Sequence, residues 1–108
     1  MEHYEVIIHT SARADILNAV KYVSKTLLEP ATAHDLLLRF QKEILSLSDM
    51  PERYPVVPDK YLASYGLRMT SVGNYLVFFV VRKNERKVDV VRAIYGKRNW
   101  IELIKQDM

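Results

Sequence analysis

Near the end of the chain the stretch VVRAIYGKRNW, from Val90 to Trp100, runs an apolar, strand-like segment into a tyrosine, a glycine and two adjacent cations. Lys97 and Arg98, set just past Gly96, suit the holding of an anion, because preorganised cations stabilise phosphate or carboxylate charge. Two further arginines raise the same question. Arg68 follows Gly66-Leu67 at the start of a strand-like run, and Arg92 lies inside an otherwise apolar one. Strict alternation puts Arg92 on the face of Val88, Val90 and Ile94. A guanidinium there needs a carboxylate of the neighbouring helices, backbone carbonyls or a ligand anion, since an unpaired buried charge is costly. For Arg68 a structural role and a functional one both stay open.

Other chemistries are poorly supplied. His3, His9 and His34 lack partners at metal-ligand spacing, so no metal is expected. The absence of cysteine excludes disulfides, thiol catalysis and cysteine-ligated zinc. There is no G-x-x-x-x-G-K-[ST] loop, and only three glycines in all, which argues against nucleotide binding. The serines have no G-x-S-x-G context. Asp49 and Glu52 flank a helix stop and read as cap or solvent charges. No cofactor is expected.

Charge is unevenly spread. Residues 1–54 carry six Lys/Arg against eight Asp/Glu, whereas residues 55–108 carry ten against five. Arg82, Lys83, Arg86, Lys87 and Arg92 belong to a run, reaching to Arg98, in which only Glu85 and Asp89 are acidic. Such a segment raises the local positive potential and suits an RNA or an acidic protein target. The alternative is a solvated hairpin whose lysines guard a sheet edge, a common device.

The elements that must position these residues follow from periodicity. At 108 residues, 49% of them apolar, the chain is expected to form one domain spanning residues 1–108. YEVIIH, Tyr4 to His9, reads as a first strand, with Thr10 and Ser11 as candidate helix caps and Asp15 serving the helix dipole. Ala12, Ile16, Ala19, Val20, Val23 and Leu27 give one amphipathic helix, and Leu37, Phe40, Ile44 and Leu47 give a second that starts near Pro30. After a proline-punctuated loop come LRMTSV, the turn pair Gly73-Asn74, YLVFFVV as a central strand covered on both faces, and KVDVVRAIY. Asn99 caps a terminal helix, with Glu102 three residues on. The order is β-α-α-β-β-β-α, an α+β fold. No apolar run approaches a membrane span, and MEHYEVIIHT does not look like a signal peptide, so a cytoplasmic protein without membrane contact is expected.

The segments TSARADI, AVKYVSKTL, SLSDMPERYPVVPD, GLRMTSVGNYLVFFVV and VDVVRAIYGKRNW, in this order over nearly the whole chain, resemble the RelE/ParE superfamily of toxins from type II toxin-antitoxin modules, plasmid stabilisation proteins among them. The resemblance implies a mainly antiparallel sheet with a helical hairpin packed on one face. It also implies an antitoxin partner that covers the basic surface around Arg68, Lys97 and Arg98.

RelE-like members cut messenger RNA in the ribosomal A site without a metal, through the ribose 2′-hydroxyl. ParE-like members bind and poison DNA gyrase and catalyse nothing themselves. In the RelE-like pattern Arg68 and Gly96-Lys97-Arg98 fall on the phosphate-holding positions. The C-terminal tyrosine or histidine-tyrosine pair of those nucleases is missing from NWIELIKQDM, which leaves Tyr95 as the nearest substitute. The strand-Tyr-Gly-basic-basic ending also looks ParE-like. On these residues RNA cleavage is favoured over gyrase poisoning, with a toxin surviving only as co-repressor with its antitoxin as a third outcome.

Overall fold

The computed structural model describes residues 3–107; Met1, Glu2 and Met108, the outermost residues of the terminal stretches quoted above, lie outside the described residues. The chain runs β1 (Glu5–Ile8), α1 (Thr10–Lys21), a π-helical turn (Tyr22–Thr26) and α2 (Pro30–Ser46). After a 3₁₀ turn (Pro51–Arg53) come a short α3 (Lys60–Ala63), β2 (Leu67–Val72), β3 (Tyr75–Arg82), β4 (Lys87–Tyr95) and α4 (Trp100–Gln106). The four strands lie in the order β1-β4-β3-β2, with β1 parallel to β4 and the other pairs antiparallel. This is the expected α+β order with one addition, α3. A four-residue helix has no periodicity to read; its only local sign is Asp59, whose carboxylate accepts the Leu62 N–H at 3.0 Å.

Two cores sandwich the sheet. Val77 and Phe79 of β3, with Val88, Val90 and Ala93 of β4, pack beneath the α1–α2 hairpin against Ile16, Phe40 and Ile44. Phe78, Leu67 and Ile94 face the other way, onto Leu62, Trp100 and Ile104 of α3 and α4. β3 is therefore central and covered on both faces, which is why YLVFFVV carries no polar residue. Among the described residues no helix is long and apolar enough to cross a membrane.

β4 departs from strict alternation. Phe78 pairs with Arg92 and Phe79 with Val90, so Val91 is an extra residue with no partner on β3. This bulge flips the strand's faces. Arg92 shares the side of Phe78 and Ile94, not that of Val88 and Val90 as alternation alone requires. At the start of α1, the N-cap is His9 and makes no side-chain cap; Thr10 and Ser11 already lie in the helix, and Asp15 falls beyond the first turn.

The end of the first helix is also unlike the periodic expectation. The Leu27 N–H reaches back five residues to the Tyr22 carbonyl at 3.1 Å, and the Glu29 N–H reaches the Val23 carbonyl. The chain turns at Leu28, which has a φ of 56°. A bulky residue in the left-handed region is unfavourable by roughly 1–2 kcal/mol, and the site is one where helices usually place glycine. The Leu28 side chain is 78% exposed and gives up little packing if removed. Leu28→Gly is therefore expected to stabilise the fold by about 1 kcal/mol, a rise in Tm visible by calorimetry; an unchanged or lower Tm would contradict this account of the turn.

Candidate functional site

Arg92 is held from two sides. Its Nε donates to Asp15 Oδ2 of α1 at 2.7 Å, and Nη1 donates to Asp107 Oδ2 just beyond α4 at 2.5 Å. Strand β1 ends at Ile8, opposite Val90, so the outer edge of β4 beyond that point has no strand beside it. The Asp15 carboxylate fills the gap by accepting the Ala93 N–H at 2.9 Å. Hydrogen bonds donated to Asp15 first, and also to Asp107, raise the Arg92 pKa well above its ordinary value against the opposing effect of burial. This guanidinium joins α1, β4 and α4, the carboxylate option left open by its position in an apolar strand.

Arg68 is likewise engaged. It donates to the Tyr54 carbonyl and to the Glu52 carbonyl, and its Nη2 lies 3.9 Å from the Glu52 carboxylate. Its guanidinium thereby fixes the loop that carries the 3₁₀ turn. In the sheet Arg68 is in register with Phe79, whereas Tyr95 is in register with Tyr75. Four residues of β3 separate those rows, about 13 Å at the usual strand rise. Lys97 and Arg98 lie beyond Tyr95. The Arg68 guanidinium sits at the Glu52 and Tyr54 carbonyls, whereas Arg98 lines a cleft with Tyr75 and Tyr95 that Arg68 does not enter.

The basic hairpin is mostly neutralised. Arg82 donates to both oxygens of Asp89 at 2.6 and 3.0 Å and also meets Glu85. Lys83 approaches Glu52 at 3.7 Å. Arg86 takes the left-handed turn position of the β3–β4 connection, with a φ of 53°, and Lys87 opens β4 opposite Arg82. His9 Nε2 completes the cluster 2.9 Å from Asp89 Oδ1. Burial alone would raise the Asp89 carboxyl pKa, but hydrogen bonds from Arg82 and His9 outweigh it and hold the group below the usual carboxylate range.

Tyr95, Gly96, Lys97 and Arg98 gather at the opposite end of the sheet, beside the Gly73-Asn74 turn. The Gly96 N–H donates to the Asn74 carbonyl at 2.8 Å, and a Cβ on Gly96 would sit 3.1 Å from that same oxygen. Close approach to the turn is therefore what the position requires. The Trp100 ring packs on Phe78 at 5.0 Å between centroids, and the Asn99 side chain accepts the Glu102 N–H at 3.4 Å, so the basic pair is anchored from both sides. The Lys97 and Arg98 side chains have no hydrogen-bond or ion-pair partner among the described residues.

Arg98 lines a cleft of about 740 Å³ with Asn18, Tyr22, Leu27, Tyr75 and Tyr95. Tyr75 and Tyr95 meet edge to face at 5.6 Å. Burial first, then the neighbouring Tyr95 and Tyr22 hydroxyls, raises the Tyr75 pKa, so the phenol stays neutral and able to donate. On the other side of the turn, the Arg39 guanidinium lies against Gly73, 3.4 Å from where a Cβ would stand. Sequence reasoning missed Tyr22, Tyr75 and Arg39. Tyr22 and Tyr75 reach the Arg98 cleft from the end of the first helix and from β3, a meeting that only the tertiary packing creates, and Arg39 approaches Gly73 on the far side of the turn.

Among the described residues, no three His, Asp or Glu side chains gather as a metal site requires.

Residues 6–100 match the family described as ParE toxin of type II toxin-antitoxin system, parDE. The fold is similar to that of the chromosomal ParDE toxin-antitoxin system from P. aeruginosa, with a TM-score of 0.71 at 13% identity over 88% of this chain and 98% of that one. It is also similar to a chain of the RelBE toxin-antitoxin complex from Mycobacterium tuberculosis, with a TM-score of 0.60 at 19% identity over 88% and 93%. An archaeal RelE-RelB complex from Pyrococcus horikoshii OT3 gives a TM-score of 0.53 at 17% identity over 89% and 98%. No match was found among curated proteins. At such identities the structural likeness is one of fold.

Two stability predictions follow from the ion pairs. Asp15→Ala strands Arg92 and the Ala93 N–H together and is expected to cost about 3 kcal/mol in urea unfolding. Asp107→Ala, at an exposed carboxylate, should cost less than about 1 kcal/mol; equal costs would refute the division of roles. For Asp89 the folded pKa lies below the unfolded value of about 3.9, so its stabilisation is full above that value and is lost as pH falls through the folded pKa. Asp89→Asn should lower Tm by roughly 5 °C at neutral pH, and the gap should narrow from about pH 4 downward. A gap of constant size across the acid range would contradict the assignment.

Proposed function

This chain belongs to the ParE family of toxins of type II toxin-antitoxin systems, and we propose that it arrests growth by binding and blocking DNA gyrase, with no catalytic step of its own. The observation that carries this reading is the engagement of Arg68 by the carbonyls of Glu52 and Tyr54, far along the sheet from Tyr95. Cleavage through a 2′-hydroxyl builds charge on one phosphate, and the groups that stabilise it must converge there. Arg68 and Arg98 do not converge. The terminal helix WIELIKQ also supplies no tyrosine or histidine for proton transfer, which in an enzyme of this kind is worth roughly 10²–10⁴-fold in rate.

The family is one of toxin-antitoxin pairs, so an antitoxin is the partner that holds the toxin silent, and the shared compartment of toxin and gyrase is the cytoplasm. A binding toxin needs only an exposed surface of the right charge and shape. Lys97, Arg98 and the adjoining tyrosines supply one. Inhibition of supercoiling by the purified protein, with messenger RNA ends on translating ribosomes unchanged after induction, is the expected pair of results. New cuts in ribosome-bound messenger RNA, with supercoiling unimpaired, would instead make Arg98 and Tyr95 parts of a nuclease site. Growth arrest absent together with both effects would leave only a co-repressor role with the antitoxin.

A further inference from the structure

We infer that the cleft beside the Gly73-Asn74 turn is where the toxin grips its protein target, taking a carboxylate on Arg98 and an adjacent apolar side chain against Tyr22 and Leu27. The inference rests on the target-binding reading of the function and adds to it a place and a recognition chemistry.

Several of the cations already have acidic partners, and others do not. At the β3–β4 connection, Arg82 and Lys83 already have Asp89, Glu85 and Glu52 as partners, and Arg92 has Asp15 and Asp107. At the other end of the sheet, Arg98 faces the cleft with no acidic partner, and Arg39 flanks the same turn from α2. Partner-free guanidinium groups beside a concavity draw in an anion, whereas paired ones offer little net charge.

Apolar surface accompanies the charge. Tyr22 is 52% exposed and Leu27 47%, and both lie at the π-helical end of the first helix, where Leu28 is held in the left-handed region. π-Helical turns and left-handed non-glycine residues are unfavourable on their own and concentrate at functional sites. Here they leave a tyrosine and a leucine open along one wall of the cleft. The opposite wall is formed by Tyr75 and Tyr95, whose paired rings present a rigid face.

The occupant is a protein surface. A nucleic-acid strand is tracked by a series of cations along a groove. The helical wall of this cleft contributes Asp15, Asn18, Tyr22, Val23 and Leu27, and no cation. Tyrosines around one central arginine are instead the composition that dominates protein–protein binding energy.

The test uses the full chain with its antitoxin co-expressed, so that toxic and non-toxic variants are made alike. Arg98→Glu should abolish growth arrest and raise the concentration needed for half-inhibition of supercoiling at least about 30-fold, and Tyr22→Ala should raise it about 10-fold. Both should retain the parent Tm. Lys60→Glu, on α3 at the far face, is the control expected to leave both readouts unchanged. Folded Arg98→Glu that still arrests growth, while Lys83→Glu does not, would move the target to the hairpin end and overturn the inference. Loss of antitoxin binding with growth arrest intact would also overturn it, by assigning the cleft to the antitoxin. If the parent protein arrests growth without touching supercoiling, the gyrase reading fails separately, and loss of arrest in Arg98→Glu still decides the cleft. New messenger RNA cuts that vanish in Arg98→Glu would replace the protein occupant with RNA.

Discussion

The carboxylate of Asp15 is the contact on which the arrangement turns. One side chain from α1 closes the open edge of β4 at the Ala93 N–H and neutralises Arg92, whose far side reaches Asp107 beyond α4. Because the edge strand β1 stops at Ile8 while β4 continues to Tyr95, a backbone donor would otherwise be left without a partner. The same carboxylate seats α1 over the strand, and α1 in turn carries Tyr22 and Leu27 to the cleft that Arg98 enters. Remove it, and a half-buried cation, an orphaned amide and the helix that walls the cleft are all affected together.

Much of this was legible in residue types. The second helical stripe, the first one as far as Val23, the turn at Gly73-Asn74, the central YLVFFVV strand and the cap at Asn99 are local patterns, and each stands where periodicity or turn chemistry puts it, whereas Leu27, counted in the first stripe, is exposed at the π-helical end. Properties set by pairing were not legible. The bulge at Val91 reverses the faces of β4 partway along, and nothing in KVDVVRAIY announces an extra residue without its partner strand. The left-handed Leu28 carries no glycine to mark it. For the hairpin Arg82 to Lys87 the residue types left a polyanion surface and a solvated, edge-guarding hairpin both open, because a sequence counts charges without showing which are matched; Asp89 and Glu52 meet their cations only in three dimensions.

Unmatched charge then becomes more informative than total charge. A half-chain in which cations outnumber acids ten to five suggests an anionic partner in general terms. In the fold, Arg98 lines a cleft with Asn74, Tyr75 and Tyr95, and Arg39 lies against Gly73 of the same turn. Arg68 serves the loop that follows α2, and Arg92 serves the junction of α1, β4 and α4. Exposed cations beside aromatic walls are what this end of the sheet presents.

Sedimentation of the purified toxin with intact gyrase, and separately with empty and translating ribosomes, tests that account most directly. A stoichiometric complex with gyrase in the absence of any nucleic acid, and none with ribosomes, is the result predicted. Association with translating ribosomes alone would contradict it.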